Sequence, residues 1–346
     1  MLLQPAGTVK KTATVNIISP LIRILKKIPG FELNGPAECL SFSMGFILQL
    51  NGLKEKLDIK IFWIYNFIMF GKRKIGIALS GGAARGLAHI GVLEVLDDLG
   101  VEISAVSGCS MGAIVGSIYS LGIPLQEARD YLKSTDWRNF LIASVLGLSR
   151  AGIVNDRKVD AGLSRFLGNK TFGDCKKQFC CVAVDIISGK RIVMKSGSLK
   201  EAVRASISIP GMFPPVQKEN ALLVDGGVME PLPTEALKEL DCDYIIASSI
   251  IFESESPSAY DDAGMDKDLM AQKIKKISIQ TILDRSMNLI HNQMVQPYLK
   301  QARIVIEPKI GGFGFFDFIK SEQIIEAGRK AALKKVPEIK KKLKIR

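Results

Sequence analysis

Histidine is the scarcest reactive residue here: two in 346 positions, His89 and His291. Any mechanism that needs an imidazole must find it at one of those two places. Neither lies near a cysteine, and the six cysteines include no Cys-x2-Cys pair, so zinc-ligand spacing is absent. Cys180-Cys181 sits in an apolar, strand-like run and reads as core filler, with no disulfide framework implied. Long apolar runs are lacking too. Ile59 to Phe70 is apolar and aromatic but only twelve residues long, with Lys60 and Asn66 inside it. A membrane-spanning helix needs about 20 apolar residues.

Two nucleotide motifs are also missing. The turn Ser80-Gly81-Gly82-Ala83-Ala84-Arg85-Gly86 does not end in Gly-Lys-Ser/Thr, as a phosphate loop would. It has Ala83 where a dinucleotide fingerprint wants glycine, and no acid ends a second strand about 20 residues on.

The chain carries a net charge of +12, placed at its ends. Residues 1–74 contribute +7 and residues 334–346 contribute +6, which leaves the middle at −1. A nucleic-acid binder is expected to carry basic charge on its folded body, so no nucleic-acid partner is expected. Basic ends fit either an anionic membrane surface or solvated tails. The composition, 47% hydrophobic and 24% charged, is that of a globular protein.

The pattern of elements predicts an α/β fold. Ile75–Leu79 reads as a strand, Leu87–Leu99 as a helix closed by Gly100, and Ile103–Val106 as a second strand. Strand, Gly-rich turn, helix and strand imply a mostly parallel sheet between helices. Phe179–Ile187, Leu222–Val224, Tyr244–Ile251 and Ala302–Glu307 read as further strands, and Ser208–Pro215 as a Pro-rich loop. Ser321–Leu343 reads as a basic helix interrupted near Pro337. Residues 1–71 are expected to be an N-terminal extension, 72–250 the catalytic domain, and 251–346 a mostly helical part packed on it. Pro20–Ile28 reads as a short amphipathic helix, and Ile59–Phe70 as an interfacial anchor or a segment packed on the body.

The second strand runs into Gly108-Cys109-Ser110-Met111-Gly112, a Gly-x-Ser-x-Gly turn followed by a helical run. In that context the pattern is a nucleophile elbow: the turn is too tight for bulky neighbours, so Gly108 and Gly112 flank the serine. Serine acyl transfer also needs a base and oxyanion donors. The amides of Gly81, Gly82 and Ala83 can converge on one concavity, with Arg85 bracing the loop and Gly86 closing it. For the base, His291 lies in a helical pattern and His89 within a buried helix, where a hydrolase histidine would not stand. Asp225 ends a strand before Gly226-Gly227, so a Ser110–Asp225 dyad is the simpler reading.

These residues carry a resemblance. The Gly81–Gly86 turn, the Gly108–Gly112 elbow, Ala205-Ser206 with Pro210 and Phe213-Pro214, and Asp225-Gly226-Gly227 resemble the four blocks of the patatin-like phospholipases, the bacterial cytoplasmic branch above all. The resemblance covers residues 75–250 and leaves 1–70 untouched. It implies a three-layer α/β/α fold and Ser–Asp dyad hydrolysis of lipid acyl esters, with no metal or cofactor. By that resemblance Ser110 is the nucleophile, Asp225 the base, and the Gly81–Gly86 amides the oxyanion hole. Ser80 departs from the glycine usual in that branch, with a small effect on loop flexibility expected. The expected location is cytoplasmic, with peripheral contact to the inner membrane surface through the basic ends. The alternatives are a transacylase and a membrane-associated protein that binds acyl ligands with little turnover.

Overall fold

The computed structural model describes residues 74–137, 156–250 and 279–345. The expectations for 1–71, including the Pro20–Ile28 helix and the Ile59–Phe70 run, lie outside the described residues. All described residues belong to one compact unit, Arg73–Arg346.

The elements alternate as the pattern predicts. β1 (Ile75–Leu79), α1 (Ala88–Asp98), β2 (Ile103–Gly108), α2 (Met111–Ser120) and α3 (Leu125–Ser134) come first. Then follow α4 (Asp156–Phe166), the hairpin β3 (Gln178–Asp185) and β4 (Lys190–Met194), and α5 (Leu199–Ser206). A second hairpin, β5 (Val216–Lys218) and β6 (Ala221–Asp225), leads to α6 (Thr234–Lys238) and β7 (Tyr244–Ser248). α7 (Ile279–Leu299), β8 (Ile304–Ile306) and α8 (Ser321–Leu343) complete the order.

Eight strands form one sheet in the order β5-β6-β3-β2-β1-β7-β8, with β4 paired to β3. The five strands β3, β2, β1, β7 and β8 are parallel; β4 and β6 pair antiparallel with β3, and β5 antiparallel with β6. Strand side chains alternate between faces. Ile77, Leu79 and Val106 enter a core shared with α1, α2, α5 and α8. Ala78, Ala105 and Val182 enter a second core, closed by Leu237 of α6 and Val295 of α7. The result is a three-layer α/β/α domain. No helix among the described residues is long and apolar enough to cross a membrane.

Two features differ from the pattern. α8 runs unbroken through Pro337. Proline removes the bond to the carbonyl four residues back, that of Leu333, and Leu333 is itself exposed, so water can replace it. The pattern also does not predict β5 and α6; each is only a few residues long, too short for a periodic signal. α8 is held against α1 at a close crossing. A Cβ on Gly328 would stand 1.9 Å from the Ala88 carbonyl oxygen, and one on Gly91 2.1 Å from that of Ile325. Arg129 of α3 clamps the pair, at 2.7 Å from Glu94 and 2.9 Å from Glu322.

The register explains how a strand far along the chain reaches the elbow. β3 outlasts β2: Gly108 ends opposite Cys181, while β3 continues to Asp185. Cys181 pairs with Met194 of β4 on its other edge, and so does Ala183 with Ile192. β6 therefore occupies the same edge of β3 as β2, just beyond it, with Asp225 opposite Ala183. Two residues of rise, about 7 Å, separate the end of β2 from Asp225 along that edge.

Candidate active site

Ser110 is the cap between β2 and α2, at φ 53° and ψ −123°. A non-glycine residue with positive φ stores strain and persists only where its surroundings enforce it. The surroundings here are backbone. A Cβ on Gly108 would lie 2.4 Å from the Gly112 carbonyl oxygen, and one on Gly112 would lie 2.2 Å from that of Leu79. The elbow thus folds onto the end of β1 with no space for a methyl group. Gly112→Ala is expected to destabilise the protein by about 3 kcal/mol or more, since backbone cannot yield as a side chain can. Chemical denaturation measures it; a loss below about 1 kcal/mol would mean the turn is not this tight.

Asp225 and Ser110 are both buried. Asp225 Oδ1 accepts the Gly227 N–H at 2.7 Å and the Cys109 thiol at 3.7 Å. Oδ2 is buried with no hydrogen bond among the described residues. Burial pushes the carboxyl up to about 6, against the Ser110 hydroxyl, the Gly227 N–H and the Cys109 thiol, which favour the charged form. Such hydroxyl–carboxylate contacts are often loose without substrate and tighten when it binds. The Cys109 thiol is pushed far up by burial, with Asp225 next in effect, so it stays protonated and donates to the carboxylate.

The Gly-rich turn is not the uniform row of donors expected from its sequence. The Gly81 N–H donates to the Pro231 carbonyl at 2.9 Å, and the Ala84 N–H to that of Phe315 at 3.1 Å. The Gly82 and Ala83 amides have no acceptor among the described residues. Ala83 also takes positive φ, 48°, so both the elbow and this loop hold a strained non-glycine residue. Gly81 is therefore a tether, and the two amides after it are the uncommitted donors. Gly86 lets the loop approach the residue after the serine; a Cβ there would lie 2.6 Å from that of Met111.

Ser80 does more than alter flexibility. Its Oγ accepts the Ile250 N–H at 2.8 Å and donates to the Gly81 carbonyl at 3.0 Å, bonds a glycine cannot make. His89 braces the same residue: Nε2 lies 2.9 Å from the Ser80 carbonyl, and Nδ1 2.7 Å from Ser248 Oγ. The carbonyl can only accept, so Nε2 carries the proton and Nδ1 accepts from Ser248. Burial lowers the His89 pKa to about 4, so the ring is neutral at physiological pH. Arg85 joins the loop to α7 through Asn288, at 3.0 Å. His291 is also lowered to about 4 by burial, against a hydrogen bond to the Ile250 backbone.

The end of α5 holds both halves of the site. Ser206 Oγ accepts the Ser110 N–H at 3.2 Å and donates to the Val182 carbonyl at 2.7 Å. Two residues on, the Ser208 carbonyl accepts the Asp225 N–H at 2.9 Å. Arg204 stiffens this segment, with Nη1 2.7 Å from Ser208 Oγ and its guanidinium over the Phe213 ring. In the sequence, only the resemblance sets Ser206 beside the site; its direct grip on the Ser110 amide carries no local signal.

Residues 77–238, which include Ser110 and Asp225, match the family model described as patatin-like phospholipase. This segment belongs to the patatin-like phospholipase family. The patatin-like domain has curated relatives that are much longer than this chain. An uncharacterized NTE family protein of Mycobacterium tuberculosis is 31% identical over 272 residues, which is 75% of this chain and 46% of that protein. Lysophospholipase NTE1 of Coccidioides immitis is 27% identical over 75% of this chain and 17% of its own length. The chain thus spans about half or less of the curated relatives it matches. Among solved structures, VipD from Legionella pneumophila aligns with a TM-score of 0.45 at 13% identity, over 76% of this chain and 66% of that one.

Proposed function

We propose that the patatin-like domain is a serine acyl-ester hydrolase acting on lipids, with Ser110 as nucleophile and Asp225 as its only base. The observation that carries this is the buried, uncommitted Oδ2 of Asp225 at the strand end that the register sets over the elbow. Above a pKa of about 6 the carboxylate is ionised and can take the Ser110 proton as the hydroxyl attacks the acyl carbonyl. The carbonyl oxygen, now negative, is received by the Gly82 and Ala83 amides. Losing one such donor costs other hydrolases about 3–4 kcal/mol. Protonated Asp225 returns the proton to the leaving alkoxide, which departs as an alcohol. Asp225 then takes a proton from a water as it attacks the acyl-enzyme and passes it to the departing Ser110 oxygen, which frees the fatty acid and restores both residues.

The lipid class of the substrate is supported by the family and by the lysophospholipase relative. The test is fatty-acid release from phospholipids, lysophospholipids and simple esters of graded chain length. Turnover is expected for at least one class and should vanish in Ser110→Ala. No turnover by a protein whose Ser110 still reacts with an acyl-enzyme probe would favour the ligand-binding alternative.

A further inference from the structure

Large apolar side chains stay in water near the mouth of the site, at the carboxyl end of the sheet. Ile186 and Ile187, in the turn between β3 and β4, are 49% and 70% exposed. Asp185, just before them, stands four residues past the level of Gly108, a rise of about 13 Å. Val228 and Met229 follow Asp225 and are 43% and 39% exposed. Four more exposed apolar side chains lie on α7 between Ile282 and Ile290, on the flanks and far side of the helix from Asn288, which reaches Arg85 of the Gly-rich loop.

The β3–β4 turn is built to hold its isoleucines outward. Turns favour glycine, asparagine, aspartate and serine. Ser188 and Gly189 conform; Ile186 and Ile187 do not. The Asp185 carboxylate accepts the Ile187 N–H at 3.1 Å, the Ser188 N–H at 3.3 Å and the Ser188 hydroxyl at 2.5 Å. It also accepts the Leu222 N–H of β6 at 3.0 Å. The tip is therefore held in place, and much of its two β-branched side chains stays uncovered in the free protein. Lys190, paired with Asp185, stands behind it, and Lys218, paired with Ala221, stands level with Ile187; both are exposed and without an ion pair among the described residues, and Glu219 is the opposing charge in the neighbouring turn. An apolar tip with one lysine behind it and one beside it, each on a stem long enough to reach back to the phosphates, matches a lipid surface, acyl chains inside and phosphates outside.

The basic tail does not share this edge. Lys342 Nζ donates to the Arg303 carbonyl at 2.6 Å, one residue before β8 begins. The end of α8 is thus at the amino edge of the sheet, and the site is at the carboxyl edge. A membrane held by the tail would lie away from the mouth.

We propose that the rim around the mouth is the lipid-docking surface, with Ile186 and Ile187 entering the acyl layer and Lys190 and Lys218 meeting the headgroups. This deepens the lipid-hydrolase reading, on which its choice of partner rests. The test is flotation of the full chain with phosphatidylcholine vesicles, with and without phosphatidylglycerol, at low and raised salt. Ile186→Ser combined with Ile187→Ser is expected to lower partition about tenfold or more on both vesicle types, with binding of the parent to neutral vesicles surviving salt. Lys340→Gln with Lys341→Gln is expected to leave binding to neutral vesicles unchanged. The isoleucine variant should keep its melting temperature and its rate on a soluble short-chain ester. Undiminished flotation of that variant overturns the proposal, as does binding that needs anionic lipid and disappears with salt. Loss of a self-associated form in sedimentation, with flotation unchanged, assigns the rim to a second copy and overturns it as well. Flotation of Ser110→Ala reads docking alone, so failure of the chemistry and failure of the docking are told apart.

Discussion

Asp225→Asn is expected to abolish turnover and, above pH 6, to make the protein more stable than its parent. General-base catalysis is worth about 10²–10⁴-fold. The stability gain follows from the raised pKa of the buried carboxyl, about 6 against an ordinary 3.8. A carboxyl whose folded pKa is raised binds its proton more tightly in the folded state. Its contribution is fully present below pH 4 and is lost as pH rises through 6. At pH 8 the buried charge costs about 3 kcal/mol, since each tenfold gain in proton affinity is worth about 1.36 kcal/mol. Asparagine fills the same space, keeps an oxygen for the Gly227 N–H and carries no charge. Denaturation curves at pH 4 and pH 8 read the effect: a gap at pH 8 that closes at pH 4. A variant less stable than the parent at pH 8 would mean that Asp225 is stabilised in its charged form, contrary to the burial argument.

The pH profile of kcat/KM should rise through an apparent pKa near 6, with about a hundredfold loss by pH 4. That limb falls where a histidine would put it, yet both histidines lie near 4. Temperature separates the two cases. Carboxyl ionisation has almost no enthalpy, whereas imidazole ionisation has a large one. The limb is expected to stay in place between about 10 and about 35 °C, since its owner is a carboxylate. His291→Ala should keep both the limb and most of the rate. A limb that moves down with heating, or that vanishes in His291→Ala, would return the base to an imidazole.

Much of this site was legible because its determinants are local. The apolar run of β2 and the paired glycines around Ser110 define the elbow within one short stretch of chain. A strand that gives out into Asp225-Gly226-Gly227 signals a carboxylate at a strand end. What stayed hidden depends on residues far apart in sequence. That β6 sits on the same edge of β3 as β2 is a matter of strand length and register, which periodicity does not report. The Gly81 amide looks free in the sequence, and only the return of Pro231 to the loop occupies it. Ser206, Ser80 and His89 are ordinary helix and turn residues until the fold brings the Ser110 amide, Ile250 and Ser248 to them. α8 survives Pro337 because the orphaned carbonyl is on the wet side, a fact about packing rather than propensity.

The dyad is tested most directly by the rate at which a fluorophosphonate labels Ser110, located by peptide mass spectrometry, in the parent, Asp225→Asn and His291→Ala proteins. Phosphonylation requires an activated hydroxyl and an oxyanion site but no turnover, so substrate choice does not enter. The expected result is modification of Ser110 alone in the parent, at least about a hundredfold slower reaction in Asp225→Asn, and a near-parental rate in His291→Ala. Labelling of Asp225→Asn at the parental rate, or modification at a residue other than Ser110, would contradict the dyad.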